Sequence, residues 1–268
     1  VGRNTRARDV PADVGAMVLP AANFLNQNAN LASLAALVRE LDRPCLVLGL
    51  GAQSEREDRA PKLTDGVVEF LAEISRRTAA IGVRGPFSAE VCALNGAPNT
   101  VVLGCPSLLI NPDRTLGATL EARMGALRGL RSVSVSGACI KPNTRSVERE
   151  LVRLAAMHPG ASYVVQRPHE LIKAGYDEPL EGAEAEYFHS CAEFLGFDGG
   201  PEALARFLRA HLCVPDSIDG WIHHLRGFDA SVNTRIHGTM MAVAAGTPCV
   251  CIAHDTRTRE LTKVMPVP

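Results

Sequence analysis

Short apolar runs alternate with longer amphipathic stretches along the chain, and that alternation predicts a βαβ rhythm. Strand-length runs at 15–20 (GAMVLP), 44–51 (PCLVLGLG), 79–83 (AAIGV) and 100–104 (TVVLG) are separated by helical patterns at 29–42, 63–78 and 86–95. Residues 111–130 break the rhythm with Asn-Pro, Gly and several Arg. It restarts with a strand at 131–137, a helix at 145–157 and a strand at 161–166. Helices at 182–195 and 201–210, a strand at 211–216, a helix at 217–226, a strand at 230–233, a helix at 237–245 and a strand at 248–253 follow. A strand that returns through a helix pairs in parallel, so the expectation is an α/β chain of two Rossmann-like, doubly wound domains, 1–125 and 126–268.

Composition narrows the partners. The chain has 268 residues, 46% of them apolar and 21% charged, with 28 Lys and Arg against 29 Asp and Glu. A net charge of -1 gives no global field for nucleic acid or anionic lipid, and no apolar run approaches the roughly 18 residues of a membrane span. No nucleic acid partner and no transmembrane segment are expected, and the oligomeric state is left open. The eight cysteines fall mostly inside apolar segments, Cys45, Cys105, Cys213, Cys249 and Cys251 in strand-like runs and Cys92 and Cys191 in helix-like ones. Without a Cys-x-x-Cys pair they predict buried free thiols in a reducing cytoplasm and no metal site. Arg3, Arg6 and Arg8 with no apolar core behind them do not make a secretory signal, and a start at Val1 suggests truncation at one or both ends.

Open parallel sheets bind ligands at the carboxyl ends of their strands, so candidate chemistry is sought there. Gly49, Gly51 and Gln53 follow a strand, where glycines permit close backbone approach; a dinucleotide fingerprint fails because Ser54 stands where its third glycine belongs. The residues read equally as a structural turn or a ligand-lining loop. Arg84, Gly85 and Ser88 place a guanidinium at a strand end and Pro86 in a first helical turn, a geometry suited to an anion; the plain alternative is an arginine closing the strand. The strongest constellation is Thr234, Arg235, His237, Gly238 and Thr239 ahead of a small-residue helix, where an arginine can hold a phosphate or carboxylate and a histidine can move a proton. His254 and Arg257 follow the last strand; the ordinary reading makes Asp255 or Thr256 a helix cap and pairs Arg257 with Glu260 on a solvated face. Gln166 and His169 are weaker candidates, and His223 and His224 suit packing or surface roles.

The segments GLGAQ, ISRRTAAIGVRGPFSAEVCALNG, VVLGCPSLLIN and TRIHGTMMAVAAGTPCVCIAHDTRTREL together resemble the polysaccharide pyruvyl transferase family over most of the chain. The specific part is RGPFS at 84–88 with RIHG at 235–238 and HDTRTREL at 254–261, in that order. The resemblance implies a GT-B-like arrangement of two domains with a ligand cleft between them. It implies transfer of the pyruvyl group of phosphoenolpyruvate onto hydroxyls of a glycan, or of a lipid-linked or nucleotide-linked sugar, as a ketal with release of phosphate. It also implies that Arg84 and Arg235 grip the donor and that His237 acts on it, with GLGAQ lining the cleft. The family's glycine-rich start is absent here, and the chain stops at Pro268 shortly after the helix near Arg257. No cofactor is expected beyond the donor substrate, and the expected location is cytoplasmic, at most at the inner face of the membrane. Two other readings stay open: a GT-B glycosyltransferase using a nucleotide sugar, and a non-catalytic glycan-binding relative.

Overall fold

The strand-length runs form two separate parallel sheets in the computed structural model, which describes residues 6–54 and 59–265. One unit takes in the described residues up to Pro106 and again from Asp255; the other spans Ser107–His254.

The first unit runs β1 (Met17–Pro20), α1 (Ala32–Leu41), β2 (Cys45–Leu50), α2 (Asp65–Arg77), β3 (Ile81–Val83), α3 (Pro86–Leu94) and β4 (Thr100–Val102). Its sheet order is β1-β2-β3-β4, all parallel. Each right-handed crossover then steps the same way and places its helix on the same face. The core follows: Val38, Phe70, Leu71, Ile74 and Val91 pack with Cys45, Val47, Ile81 and Val83 in one cluster. Laterally paired residues share a face, and Val18, opposite Leu46, is exposed with it; Val101 and Leu103 are exposed as well. This unit is therefore singly wound, a correction to the doubly wound pattern expected of both halves. Its strand order never reverses.

The second unit runs α4 (Leu116–Ala126), β5 (Val133–Ser136), α5 (Arg145–Met157), β6 (Ser162–Val164), α6 (His169–Gly175), α7 (Ala183–Leu195), α8 (Gly200–His211), β7 (Leu212–Cys213), α9 (Ile218–Leu225), β8 (Ala230–Asn233), α10 (Ile236–Ala245) and β9 (Cys249–Cys251). The last helix, α11 (Thr256–Val264), belongs to the first unit. The order β7-β6-β5-β8-β9 reverses between β5 and β8, so this sheet is doubly wound. Val133, Val135 and Tyr163 face the core that α5, α7 and α8 build with Leu151, Cys191, Leu204 and Leu208. The alternate residues Ser134, Ser136, Ser231 and Asn233 are buried too, on the side of α10.

The division of the chain differs from the expected boundary at 125. Residues 107–125 pack with the second unit: Asn111 Nδ2 donates to the Ala244 carbonyl at 2.9 Å, and Arg123 donates to the carbonyls of Gly246 and Phe228. The Asn-Pro and glycines of 111–130 conceal the helix α4 at sequence level. All eight cysteines are free thiols, Cys213 and Cys251 partly exposed and the others buried. Among the described residues no helix is long and apolar enough to cross a membrane.

Glu73 on α2 shows how the first unit keeps a charge inside. Its side chain is 4% exposed and takes Arg39 Nε at 3.0 Å, Arg76 Nη2 at 2.5 Å and Arg77 Nη1 at 2.5 Å. Burial alone would raise this carboxyl, but the hydrogen bonds from Arg39, Arg76 and Arg77 outweigh it and hold the pKa at about 2. A carboxylate whose folded pKa is depressed stabilises above its unfolded pKa and loses that contribution as pH falls toward the folded one. The thermal midpoint of the wild type should therefore exceed that of Glu73→Gln in full above the ordinary glutamate range, and the gap should close as pH falls toward 2. A gap independent of pH would contradict the ion-pair account.

Candidate functional site

The reversal between β5 and β8 opens the crevice where doubly wound sheets hold ligands. Residues Gly137–Cys139 follow β5, and Thr234 and Arg235 follow β8 and lead into α10. Arg235 is the N-cap residue of α10 and makes no side-chain capping bond. Its guanidinium turns to the neighbouring loops instead: Nε donates to the Gly137 carbonyl at 3.3 Å, and Nη2 to the carbonyls of Ala138 at 2.6 Å and Arg167 at 3.2 Å. One partly exposed cation thus ties together the chain segments after β5, β6 and β8. His237 lies in the first turn of α10 and is exposed.

Gly238 lets that turn sit on the sheet. A Cβ there would lie 2.5 Å from Ser136 Cβ and 2.7 Å from Asn233 Oδ1. Beneath it Ser136 Oγ, Asn233 Nδ2 and Thr239 Oγ1 are buried without a hydrogen-bond partner. Thr234 points inward, its hydroxyl donating to Glu148 Oε1 at 2.7 Å. His254, just past β9, brings Nε2 within 3.6 Å of Cys139 Sγ. Burial raises the Cys139 thiol, against Arg235 and Lys141, which pull it down. Burial likewise raises the Glu148 carboxyl, partly offset by Thr234 and the amides of Cys139 and Ala138. The sequence does not single out Cys139, Glu148 or Tyr163: Cys139 lies just past β5 but in a segment without a recognisable motif, whereas Glu148 in α5 and Tyr163 within β6 are brought to the crevice only by the tertiary fold. Among the described residues no three His, Cys, Asp or Glu side chains gather as metal ligands would.

The strand-end residues of the first unit have internal partners. Arg84 is 6% exposed and donates Nε to the Gly49 carbonyl at 2.9 Å and Nη1 to Asn23 Oδ1 at 2.7 Å. Gly49 holds a left-handed φ of 75°, and a Cβ on Gly51 would lie 2.7 Å from Arg84 Cδ, so these glycines shape the seat of that arginine. Gln53 Oε1 accepts from Asn23 Nδ2 at 3.4 Å. The amide-rich start of α3 already holds an anion of the chain's own: Glu260 of α11, 7% exposed, accepts the Ser88 N–H at 2.7 Å and the Ser88 hydroxyl at 2.8 Å. A Cβ on Gly85 would meet Glu260 Cγ at 2.2 Å. Glu260 is therefore not half of a solvated pair with Arg257. Arg257 leans on Asp255 at 3.5 Å, and Asp255 caps α11 by accepting the Thr258 N–H at 2.8 Å. Gln166 and His169 lie at the end of β6 and the start of α6, while His224 packs by Nε2 against Ser162 Oγ at 2.8 Å.

The family model described as polysaccharide pyruvyl transferase matches residues 12–256. The chain belongs to that family. Its span contains every motif that carried the resemblance except the end of HDTRTREL. No curated protein matches the chain. Among solved structures, the UDP-GlcNAc 2-epimerase of Neisseria meningitidis bound to UDP-GlcNAc is similar at 11% identity with a TM-score of 0.46, over 98% of this chain and 69% of that one. Within this pyruvyl transferase family member, the RIHG motif is the part placed at a sheet reversal, whereas RGPFS is joined to α11.

Two outcomes test that distinction. Glu260→Ala leaves two buried donors unsatisfied and should cost about 2–3 kcal/mol in urea unfolding, with a smaller loss for Glu260→Gln. Burial raises the Glu260 pKa above its unfolded value, so the wild type should lose stability relative to Glu260→Gln as pH rises out of the ordinary carboxylate range. Equal stability of wild type and Glu260→Ala would refute a stabilising role for the Glu260–Ser88 bonds. Gly238→Ala should cost about 1–3 kcal/mol by forcing α10 off Ser136, read as a lowered denaturant midpoint.

Proposed function

We propose that this family member transfers the pyruvyl group of phosphoenolpyruvate to a pair of hydroxyls on a glycan, or on a lipid-linked or nucleotide-linked sugar, with release of phosphate. The observation that carries this reading is the meeting of Arg235 and exposed His237 at the β5/β8 reversal, over buried polar atoms that lack partners. Phosphoenolpyruvate is a small, multiply charged anion, and a guanidinium beside a helix N-terminus is suited to it. Thr234, Gly238, Thr239 and His254 shape this donor seat. A location in the cytoplasm supplies such a donor.

The reaction balances with the residues at hand. His237, as imidazolium, donates a proton to C3 of the enol, and the electron pair of the C2–C3 double bond forms the new C–H bond. A sugar hydroxyl oxygen adds to C2 and loses its proton. The C2–O bond to phosphate breaks, phosphate departs with one proton, and the second hydroxyl closes the ketal at C2 as its own proton leaves. An anion bound next to His237 favours the imidazolium before transfer, and Arg235 offsets charge as it moves from C2 to phosphate. In the first unit Arg84 acts by holding Gly49 near the end of β2, and acceptor recognition belongs to the loops there.

Calorimetric titration with phosphoenolpyruvate, alongside UDP, CMP and GDP sugars, tests the reading. The wild type should bind phosphoenolpyruvate selectively, and Arg235→Ala should weaken it about 30- to 150-fold, corresponding to one charge-assisted contact of about 2–3 kcal/mol. His237→Ala should keep the donor and lose turnover. Arg84→Ala should instead show itself first as a lower thermal midpoint. Tighter binding of a nucleotide sugar would move the assignment to glycosyl transfer, and donor binding without any product across acceptors would mark a non-catalytic relative.

A further inference from the structure

We infer that Glu148 is a positioning residue for the donor site, acting through Arg235 by fixing the turn at Gly137–Cys139. The inference rests on the reading that Arg235 holds the donor anion. Glu148 stands in the first turn of α5 and has no exposed surface. Its carboxylate accepts the Ala138 N–H at Oε2 at 2.9 Å, the Cys139 N–H at Oε1 at 3.1 Å and the Thr234 hydroxyl at Oε1 at 2.7 Å. The Tyr163 hydroxyl, wholly buried, is a second acceptor for the Ala138 N–H at 3.0 Å.

The three donors to Glu148 are the residue whose carbonyl takes Arg235, its neighbour that touches His254, and the residue that precedes Arg235 in the chain. Ala138 itself sits at φ 60°, a left-handed conformation that a residue with a Cβ adopts at a cost. The carboxylate and the tyrosine hold its amide, and that peptide geometry presents the carbonyls of Gly137 and Ala138 to the guanidinium. A carboxylate is required because both oxygens accept. In a glutamine one position becomes an NH2 group, and a donor then faces a donor at Ala138 or Cys139.

A double-mutant cycle on donor binding reads this directly. Phosphoenolpyruvate affinity is measured calorimetrically for the wild type, Glu148→Gln, Arg235→Ala and the double variant, with circular dichroism and thermal midpoints for each. Glu148→Gln should weaken binding about tenfold in the wild-type background and by less than about twofold when Arg235 is already alanine. Equal losses in both backgrounds, or unchanged affinity in a folded Glu148→Gln, would overturn the inference while leaving the donor reading intact. Should Glu148→Gln fail to fold, Tyr163→Phe removes the other acceptor of the Ala138 N–H and is carried through the same cycle; a loss coupled to Arg235 supports the inference and an additive one refutes it. A wild type that binds no phosphoenolpyruvate overturns the donor reading, and this inference falls with it.

Discussion

Buried carboxylates need donors, and in both units the strand-end turns are arranged around one. In the second unit Glu148 takes amides from the turn after β5 while Arg235 takes the carbonyls of the same turn. In the first unit Glu260 takes the start of α3 and Arg84 takes the carbonyl of Gly49. Leaving such a carboxylate without partners inside a protein would cost several kcal/mol, so the donors are strongly constrained once the carboxylate is buried. The geometry of the chain after β3 and after β5 is thereby tied to a buried carboxyl group.

The second sheet's polar face follows from a related constraint. Ser134, Ser136, Ser231 and Asn233 occupy positions that a sheet covered on both faces would ordinarily give to valine or isoleucine. Small side chains there, with Gly238 above them, let α10 come closer to the strands than bulkier neighbours would allow. The cost is the set of buried groups without partners, the hydroxyls of Ser134, Ser136 and Thr239 and the Asn233 amide nitrogen. Such a cost is expected where a site, and not packing alone, sets the choice of residue.

The rhythm of strands and helices was legible because each element has its own period, and the runs from GAMVLP to PCVCIA all contain the strands they suggested. Less legible were elements whose signals conflict locally. The helix α4 lies among Asn-Pro and glycines, and α6 begins at His169 directly after Pro168, where the pattern reads as a strand end and loop. Winding was not legible either, since a βαβ rhythm is the same whether successive crossovers continue or reverse; only the order of strands separates β1-β2-β3-β4 from β7-β6-β5-β8-β9. The candidate site was half visible. Arg235, His237 and Gly238 announce themselves by chemistry at adjacent positions, whereas Glu148 and Glu260 look like ordinary solvated helix carboxylates until the fold removes their water.

The two arginines also show why a motif's chemistry depends on what else reaches it. Arg84 and Arg235 each follow a strand and precede a helix, and each donates to a carbonyl of a neighbouring segment, Arg84 to Gly49 within β2 and Arg235 to Gly137 just after β5. Their helices differ. The first turn of α3 receives the Glu260 carboxylate, so its positive end is satisfied within the chain, and Arg84 is almost wholly buried beside it. At α10 the carboxylate of Glu148 takes amides of the turn after β5, while Arg235 is partly exposed and His237 stands two residues on. Where Glu260 meets the helix start, Arg84 is buried with Gly49 and Asn23 as its partners. Where the internal carboxylate is bound by the turn after β5 instead, the guanidinium, the helix start and His237 stand together at the sheet reversal, which is the pairing we propose for the donor anion.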